Sequence, residues 1–273
     1  MRIHGGLVLI TGASSGIGAA TARAVAQAGG RVVLMARNAA TLEGVAAEVR
    51  ALGGQAWVQA VDLAQPEAVQ AAARQVMAEA GPPDVLILSA GAGRWLAVEE
   101  TPPAEAAAMM AAPYFAAFYT VQAFLPAMLQ RGSGHIVTIN SPASRLVWPG
   151  ATGYVAARWA LRGFTQALRA DLRGTGLRVT QVVPGLVLSP YFEHNPGAWA
   201  RIPKIGRLLV PAVTPEQVAR AIVWAVAHDW DEHVIPFMLR VFYVLHSLAP
   251  WLVEWLLQVT GWRHAQPQES EPR

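Results

Sequence analysis

Residues 7–18 read LVLITGASSGIG, an apolar run that leads directly into a loop of glycine, alanine and serine. Leu7–Ile10 shows no polar alternation, which is typical of a strand buried on both faces of a parallel sheet. The residues after the loop, up to Ala28, favour a helix. A helix that begins where a strand ends presents free N–H groups and a partial positive charge to an anion. We therefore expect a phosphate-binding loop at residues 11–18.

The three glycines have separate roles in a loop of this kind. Gly12 permits the tight turn, Gly16 lets a pyrophosphate approach the backbone, and Gly18 lets the helix pack closely on the strand. An ordinary strand-to-helix turn would also explain glycines at these positions, so the loop alone does not decide the function. The other contacts predicted from the loop are Ser14, Ser15 and Ile17.

Further apolar runs without polar alternation are interspersed with helical patterns along the chain, and each of them is likewise predicted to be a strand buried on both faces. Besides residues 7–10 they are residues 31–36, 56–61, 85–88, 135–139, 178–183 and 233–236. Strands separated by helices form parallel sheets, because a parallel connection needs a crossover long enough for a helix. We predict an α/β fold, a single Rossmann-like, doubly wound parallel sheet of about seven strands with helices on both faces. A length of 273 residues fits one such domain.

The composition argues against several classes of site and partner. The chain has no cysteine, so neither a disulfide framework nor a thiolate metal site can form, and its seven scattered histidines lack metal-ligand spacing. The formal net charge of +3 and the charged fraction of 14% are low, which argues against nucleic acid as a partner. Leu7–Thr11 is too short for the apolar region of a secretory signal, so we expect a cytoplasmic protein.

The residues from Ser141 to Arg158 carry the most specific functional pattern. Ser141 precedes Tyr154 by thirteen residues, and the cation Arg158 follows Tyr154 at the fourth position. This spacing resembles the short-chain dehydrogenase/reductase family, which uses Ser and Tyr-x-x-x-Lys, and the matches run in order over residues 5–236. The resemblance implies a nicotinamide-dependent oxidoreductase whose Rossmann-fold domain spans residues 1–236. It also implies a homodimer or homotetramer built on long helices at residues 104–130 and 151–173.

Reduction of a carbonyl needs a hydride and a proton for the developing alkoxide. The resemblance makes Tyr154 the general acid/base, and Ser141 the donor of a hydrogen bond to the substrate oxygen. Tyrosine side chains ordinarily titrate near pH ~10, and a nearby cation stabilises the phenolate. Arg158, one helical turn after Tyr154, would supply that charge from the same face of the helix. Asn140 is the weaker candidate, because strand alternation points it to the other face.

The end of the second strand predicts which nicotinamide cofactor is used. It reads Ala36-Arg37, without the carboxylate that would accept the adenosine ribose hydroxyls and repel a 2′-phosphate. A guanidinium pairs with a phosphate through two hydrogen bonds, so NADP(H) is expected to be preferred over NAD(H). A solvated arginine at a strand end is the alternative. The resemblance adds, as further cofactor contacts, Asp62, Leu63, Ser89, Ala90, Gly91, Tyr154, Arg158, Pro184, Gly185 and Val187.

Three positions depart from the family pattern. Ser89 and Pro113 stand where the family has asparagines, and Arg158 stands where it has lysine. Proline has no N–H and frees the carbonyl of Met109, so we expect a kinked helix there. Because Lys204 is the only lysine of the chain, the arginine at 158 can also reflect overall composition. An NADP(H)-binding sensor or membrane-associated scaffold with little catalytic activity is therefore the alternative to an enzyme.

The part of the site that binds the substrate is predicted from apolar side chains. Residues 190–213 fall where the family has a mobile lid, and they mix aromatic and aliphatic side chains with a few cations. Trp95, Val147 and Trp148 are expected to add apolar walls. The expected substrate is a lipophilic ketone, aldehyde or alcohol.

Residues 237–263 form a strongly apolar, tryptophan-rich segment. Pro250, Arg240 and Glu254 interrupt it, whereas a membrane span needs ~20 apolar residues, so we predict two shorter helices. Their tryptophans suit a lipid interface, which predicts peripheral contact of residues 237–262 with the inner face of a membrane. Packing on the substrate pocket or on another subunit is the equal alternative. Residues 264–273 are predicted to be a disordered polar tail.

Overall fold

The computed structural model describes residues 3–193 and 195–264. Its centre is a sheet of seven parallel strands in the order β3-β2-β1-β4-β5-β6-β7, which confirms the predicted doubly wound fold. The strand order reverses between β1 and β4. The strands are β1 (Leu7–Thr11), β2 (Arg31–Ala36), β3 (Ala56–Ala60), β4 (Val85–Leu88), β5 (Gly134–Ile139), β6 (Leu177–Pro184) and β7 (Glu232–Ile235). Of the predicted tail, residues 265–273 lie outside the described residues.

Helices connect the strands and cover both faces of the sheet. Because parallel strands are apolar on both faces, each face needs such a cover. Helices α1, α2 and α9 pack on one face, and α3, α5 and α6 pack on the other. The helices are α1 (Gly16–Gln27), α2 (Ala39–Ala51), α3 (Pro66–Glu79), α4 (Pro103–Met110), α5 (Ala116–Arg131), α6 (Thr152–Asp171), α7 (Ala198–Arg201), α8 (Lys204–Leu209), α9 (Pro215–His228), α10 (Phe237–Leu248) and α11 (Pro250–Thr260).

Local sequence determines where two of these helices begin. The side chain of Asn38 accepts a hydrogen bond from the N–H of Thr41 at 3.1 Å and so caps α2. At the start of α9, Thr214 and Gln217 each accept a hydrogen bond from the backbone N–H of the other. Both arrangements satisfy N–H groups that have no partner inside the helix.

The two outer strands are less buried than the sequence predicts. In β3 only Gln59 is fully buried, and in β7 only His233 and Val234 are. A strand at the edge of a sheet has a neighbour on one side only, so its ends and one flank stay accessible. The prediction that every apolar run is buried on both faces is therefore wrong for β3 and β7.

The predicted long helix at residues 104–130 is interrupted in the middle. Helix α4 ends at Met110, a π-helical turn occupies Ala111–Phe115, and α5 follows. The N–H of Ala116 donates to the carbonyl of Ala111, five residues back, as in a π-turn. Pro113 is buried inside this turn. The irregularity expected from its missing N–H thus takes the form of a wider helical turn.

The whole stretch Pro103–Arg131 is, by length and composition, apolar enough to cross a membrane. In this fold it belongs to a helical layer that covers the sheet. Val121, Phe124 and Met128 are buried in the core that α5 forms with β4 and β5. Packing inside the domain therefore explains the buried part of this apolar stretch.

Helices α10 and α11 form the C-terminal end of the described chain, and Pro250 is the first residue of α11. They pack against each other, and α10 also contacts β7 while α11 contacts α8. Leu239, Phe242 and Leu257 bury their side chains in an apolar cluster that also contains Tyr154. The two helices thus cover the end of the sheet where the predicted catalytic residues lie.

Candidate active site

A cavity of about 880 Å³ lies at the carboxyl ends of the strands, across the point where the strand order reverses. This is the place where doubly wound sheets bind ligands. Every residue that the sequence predicts for cofactor binding or catalysis lines it. They are Gly12, Ser14, Ser15, Gly16, Ile17, Gly18, Arg37, Asp62, Leu63, Ser89, Ala90, Gly91, Ser141, Tyr154, Arg158, Pro184, Gly185 and Val187.

The glycine loop between β1 and α1 forms one wall of this cavity. Gly12 has a φ of +65°, and a Cβ there would lie 2.8 Å from the Cα of Ala90. A Cβ at Gly18 would overlap the carbonyl oxygen of Gly12. Gly16 has a φ of +51°, and a Cβ there would meet only Ser189, at 3.8 Å. The loop therefore keeps its backbone bare where a phosphate would approach the N-terminus of α1.

Thr11, which was not predicted as a site residue, links this loop to the next one. Its hydroxyl oxygen accepts hydrogen bonds from the N–H groups of Ser89 and Ala90, both at 3.1 Å. The side chain is buried at the end of β1. A polar residue that ends an otherwise apolar strand was the available sequence signal. Thr11 holds the loop after β4 against the glycine loop, and so fixes the distance between these two walls of the cavity.

Arg37 and Asp62 lie at the end of the cavity beyond β2 and β3. Arg37 is exposed and makes no ion pair with any residue that the structure describes. The carboxylate of Asp62 accepts a hydrogen bond from the N–H of Ala64 at 3.0 Å, which holds its own loop in place. The guanidinium of Arg37 is therefore available to an anionic ligand at this end.

Tyr154 and Arg158 lie side by side on α6, and both are about nine-tenths buried. The guanidinium carbon of Arg158 is 4.9 Å from the centre of the Tyr154 ring. Its Nη1 donates to the carbonyl of Ile139 at 3.3 Å, and its Nε is buried without a hydrogen-bond partner. No carboxylate of the described residues pairs with it. A buried cation with spare donors beside the cavity fits the ribose hydroxyls of a dinucleotide, as the bare glycine loop fits its phosphates.

Two glycines after β4 leave room for these two side chains. A Cβ at Gly91 would lie 3.0 Å from the Nη2 of Arg158, and a Cβ at Gly93 would lie 3.2 Å from the Cδ2 of Tyr154. Any larger residue at either position would push against the predicted catalytic pair. The loop after β4 thus shapes the site through its backbone.

Ser141 follows β5, and its hydroxyl oxygen accepts a hydrogen bond from the N–H of Ala143 at 3.3 Å. That bond uses a lone pair of the oxygen and leaves the hydroxyl proton free to donate. Ser141 therefore lines the cavity in a state that can donate a hydrogen bond to a substrate oxygen.

Asn140 has a structural connection to the site that the sequence reasoning missed. Its Nδ2 donates to the carbonyl of Arg158 at 3.2 Å and to the side chain of Gln181 at 3.0 Å. Its Oδ1 accepts a hydrogen bond from the N–H of Ser141 at 2.9 Å. Asn140 thus ties the end of β5 to α6 and to β6. The sequence offered no signal for this role, because the three partners meet only in the folded chain.

Aromatic side chains surround Tyr154 at the substrate end. The Trp95 ring lies 5.5 Å from that of Tyr154 and 5.2 Å from that of Trp148. Tyr191 donates its hydroxyl proton to the carbonyl of Gly93 at 2.6 Å. Burial raises the pKa of Tyr191, and the neighbouring Tyr154 acts in the same direction, so Tyr191 keeps its proton as a donor. This end of the cavity is therefore largely aromatic.

The predicted apolar walls need one correction. Trp95 and Trp148 line the cavity, but Val147 is half-exposed and does not. The turn that follows the short 3-10 helix Pro142–Ser144 points residue 147 outward and its neighbour Leu146 inward. Pro113 is likewise absent from the lining, whereas Ala111, Ala112 and Ala116 of the surrounding turn contribute to it.

The segment after β6 and the two C-terminal helices close the substrate end. Residues 190–213 contain α7 and α8 and line the cavity through Phe192, Ile202 and Val210, among others. Leu239, Phe242 and Leu257 line it from α10 and α11. The predicted lid region and the C-terminal segment therefore build one apolar wall together.

The comparisons with known proteins agree with this geometry. A family model described as short chain dehydrogenase matches residues 6–197. A fatty acyl-CoA reductase of Acinetobacter baylyi is 32% identical over 251 residues, which cover 91% of this chain and 82% of the relative. Estradiol 17-beta-dehydrogenase 11 of Mus musculus is 31% identical over 251 residues, which cover 91% of this chain and 81% of the relative. The solved structure of a metagenomic short-chain oxidoreductase in complex with NADP matches with a TM-score of 0.73 and 32% identity over 86% of this chain and 98% of that one. The chain belongs to the short-chain dehydrogenase/reductase family.

Proposed function

We propose that the chain interconverts a lipophilic ketone or aldehyde and its alcohol by hydride transfer with NADP(H), and that Tyr154 is the general acid/base. The observation that carries this proposal is the buried pair of Tyr154 and Arg158 at the wall of the cavity, in which the guanidinium carbon lies 4.9 Å from the centre of the tyrosine ring. Because no carboxylate in the described part of the chain neutralises this cation, its positive charge acts on Tyr154 and favours the phenolate form of that side chain.

The residues that would hold the cofactor are arranged along the cavity. The glycine loop and the N-terminus of α1 would bind the pyrophosphate, Arg158 the nicotinamide ribose, and Pro184, Gly185 and Val187 the nicotinamide end. When bound, the nicotinamide cofactor supplies or accepts the hydride. The solved relative in complex with NADP supports the same ligand for this chain.

The chain's own residues handle the proton. In the direction of reduction, Tyr154 gives its hydroxyl proton to the substrate oxygen, and the charge of Arg158 stabilises the phenolate that remains. The Ser141 hydroxyl donates a hydrogen bond to the same oxygen and stabilises the negative charge that develops there. The aromatic and aliphatic walls exclude water from this exchange.

Arg37 supports a preference for NADP(H) over NAD(H). It is the side chain that follows β2, where the adenosine ribose binds in folds of this type, and no described carboxylate neutralises it. An arginine there pairs with a 2′-phosphate, whereas NAD(H) offers it only neutral hydroxyls. The cofactor with the additional phosphate is therefore expected to bind more tightly.

The substrate is proposed to be lipophilic because the far end of the cavity is apolar. Three separate parts of the chain contribute aromatic or branched side chains to it, namely the loop after β4, residues 190–213 and the C-terminal helices. The names of two relatives, a fatty acyl-CoA reductase and an estradiol dehydrogenase, describe substrates with large apolar parts. An apolar substrate of similar kind is the best match for these walls.

The alternative is an NADP(H)-binding sensor or scaffold with little activity. Pro113 and Ser89 favour it, because neither side chain can supply the amide that the family has at these positions. The π-turn at Ala111–Phe115 lies beside the cavity, which Ala111 and Ala112 line, and we propose that the Met109 carbonyl left without the proline N–H holds a water in place of one of those amides. The two functions differ in turnover and not in cofactor binding.

We also infer a cytoplasmic dimer or tetramer. Helices α5 and α6 carry half-exposed aromatic side chains, Phe115 and Phe118 on the α5 side and Trp159 on α6. Exposed aromatic clusters on neighbouring helices are typical of subunit contacts. The measurement that tests this inference is the mass of the full chain in solution by sedimentation.

The proposed function is tested by titrating the protein with NADPH and NADH by fluorescence, and then screening lipophilic ketones and alcohols at the nicotinamide absorbance band. Tyr154→Phe is expected to bind NADPH as the wild type does and to lose at least ~100-fold in turnover. Tyr119→Phe, whose side chain is outside the cavity, is the matched control and should keep full activity. Full turnover in Tyr154→Phe would contradict the mechanism. Binding without turnover in the wild type over a broad panel would favour the scaffold.

A further inference from the structure

Helices α10 and α11 are apolar on two opposite sides. Their inner side chains line the cavity, as Leu239 and Leu257 show. Their outer side chains, together with the exposed Leu208 of α8, form what we call the outer apolar face, which comprises Leu208, Val244, Leu248, Trp251, Trp255 and Val259. Helix α11 packs against both α8 and α10, which brings together the three helices that carry this face.

The outer apolar face is exposed to an unusual degree. Leu208 is 81% exposed, Leu248 is 78% exposed and Trp251 is 71% exposed. Single exposed apolar residues are common, but a continuous group of large ones marks a surface that binds something. Val244 and Leu248 are four residues apart on α10, and Trp251, Trp255 and Val259 follow one another at intervals of four on α11, so each set lies on one side of its own helix.

Positive charge borders this face. Lys204 of α8 and Arg263 after α11 are exposed and make no ion pair with any described residue. The carboxylate of Glu254 lies 3.4 Å from the Nε2 of His246, so the one acidic side chain of α11 has a partner of its own. Cations without partners beside exposed tryptophans complement a surface of anionic headgroups above apolar tails.

We propose that the outer apolar face docks on an anionic lipid surface. Leu248, Trp251 and Trp255 insert at the boundary between headgroups and tails, where tryptophan side chains are favoured. Lys204 and Arg263 contact the anionic headgroups. The helices lie in the plane of the surface and do not span it, because neither α10 nor α11 is long enough.

The docked face also explains how an apolar substrate reaches the cavity, a consequence that rests on the proposed function. The residues that line the cavity and those that meet the lipid lie on opposite sides of the same helices. A helix with its side chains is about 10 Å across, so a substrate dissolved in the lipid lies one helix layer from the cavity. The substrate class would then be molecules that partition into membranes.

The test is co-sedimentation of the full chain with vesicles of phosphatidylcholine alone or with one quarter phosphatidylserine. The wild type is expected to bind the anionic vesicles at least tenfold more strongly than the neutral ones. Leu248→Ser/Trp251→Ser should lower binding to the anionic vesicles at least tenfold. Leu52→Ser/Trp224→Ser removes one exposed leucine and one exposed tryptophan elsewhere, and should bind as the wild type does.

Charge reversal separates the electrostatic contribution to membrane binding from the apolar contribution. Lys204→Glu/Arg263→Glu is expected to remove the preference for anionic vesicles while residual binding to neutral ones remains. Equal binding by the face variant and its control would overturn the proposal, as would the absence of wild-type binding. If the face variant changes only the sedimentation mass of the protein in solution, the face is an interface between two copies and the proposal is wrong. None of these readouts requires turnover, so their failure is distinct from a failure of the proposed function.

Discussion

At the scale of single residues, Arg158 is a buried cation without a carboxylate partner in the described chain. The carbonyl of Ile139 and the face of the Tyr154 ring compensate for part of the water that it loses. A lysine would concentrate its charge in one ammonium group, whereas a guanidinium spreads it over a plane. Arg158 therefore keeps the charge beside Tyr154 but presents it from a different position.

Arg37→Asp is predicted to reverse the cofactor preference. The carboxylate would repel the 2′-phosphate of NADPH and accept hydrogen bonds from the ribose hydroxyls of NADH. Loss of one charge-assisted pair should raise the KM for NADPH by roughly 10- to 100-fold, while the KM for NADH falls. Steady-state kinetics with both cofactors measure this. Arg74→Asp, on the exposed side of α3, should leave both constants unchanged.

Asn140→Ala is predicted to lower kcat by about tenfold without a comparable change in the KM for NADPH. The substitution removes the hydrogen bonds that hold the Ser141 N–H and the Arg158 carbonyl, and each buried polar group left without a partner costs ~1–3 kcal/mol. Asn140→Asp keeps the acceptor for Ser141 but loses the donor to Arg158. If the link to α6 matters, the aspartate variant will be as slow as the alanine variant. Wild-type kcat in both would show that Asn140 serves the fold alone.

At the scale of elements, the ends of strands place the chemistry. Asn140 and Ser141 after β5 and the Pro184–Val187 loop after β6 reach the same cavity, and Thr11 at the end of β1 holds Ser89 and Ala90, which also line it. Helix α6 then aligns Tyr154 and Arg158 with that edge of the sheet. The π-turn Ala111–Phe115 before α5 contacts α6, the helix that carries Tyr154 and Arg158. It replaces a regular helical turn by a wider one near the site.

The contact between β5 and β6 predicts a pH-dependent stability. His135 of β5 is fully buried, its Nε2 lies 2.7 Å from the hydroxyl of Thr180, and burial lowers the pKa of His135 to about 4. The unfolded chain binds a proton near pH 6.5, so the unfolded state binds more protons between pH 6.5 and 4. The free energy of unfolding should therefore fall as the pH drops through this window, by on the order of 3 kcal/mol.

Urea unfolding at pH 7, 6, 5 and 4 measures this loss. His135→Gln removes the titrating group, so its stability should depend less on pH over the same range, even if it is lower at pH 7. Burial also lowers the pKa of His233 to about 4, so some dependence will remain. His4→Gln alters an exposed histidine and should follow the wild-type curve. A variant at position 135 with an unchanged slope would contradict the assignment.

At the scale of the whole molecule, the sequence predicted the sheet and the position of the cavity because both depend on local patterns. Apolar runs gave the strands, and the glycine loop gave the cofactor end. What it did not predict depends on contacts between distant residues. Asn140 meets Arg158 and Gln181 only after folding, and the outward direction of Val147 is set by a short turn.

The lower burial of β3 and β7 has a signal in the sequence, because β3 contains Gln59 and β7 contains Glu232 and His233. Which strands form the edges could not be predicted from these runs, because the strand order depends on contacts between distant residues. Their position in the sheet decides which faces a neighbour covers. The same holds for α10 and α11, whose sequence suits lipid, a pocket wall or a subunit contact. The structure shows that their inner sides line the cavity.

The central claim is that Arg158 and Tyr154 act as one catalytic unit. The most direct test is a double-mutant cycle of kcat at saturating NADPH, with Tyr154→Phe, Arg158→Met and the two combined. Residues that act as a unit have effects that do not multiply. We predict that each single variant loses at least ~100-fold and that the double variant is about as slow as the slower single one. Losses that multiply, or a wild-type kcat in Arg158→Met, would show that the two side chains act independently.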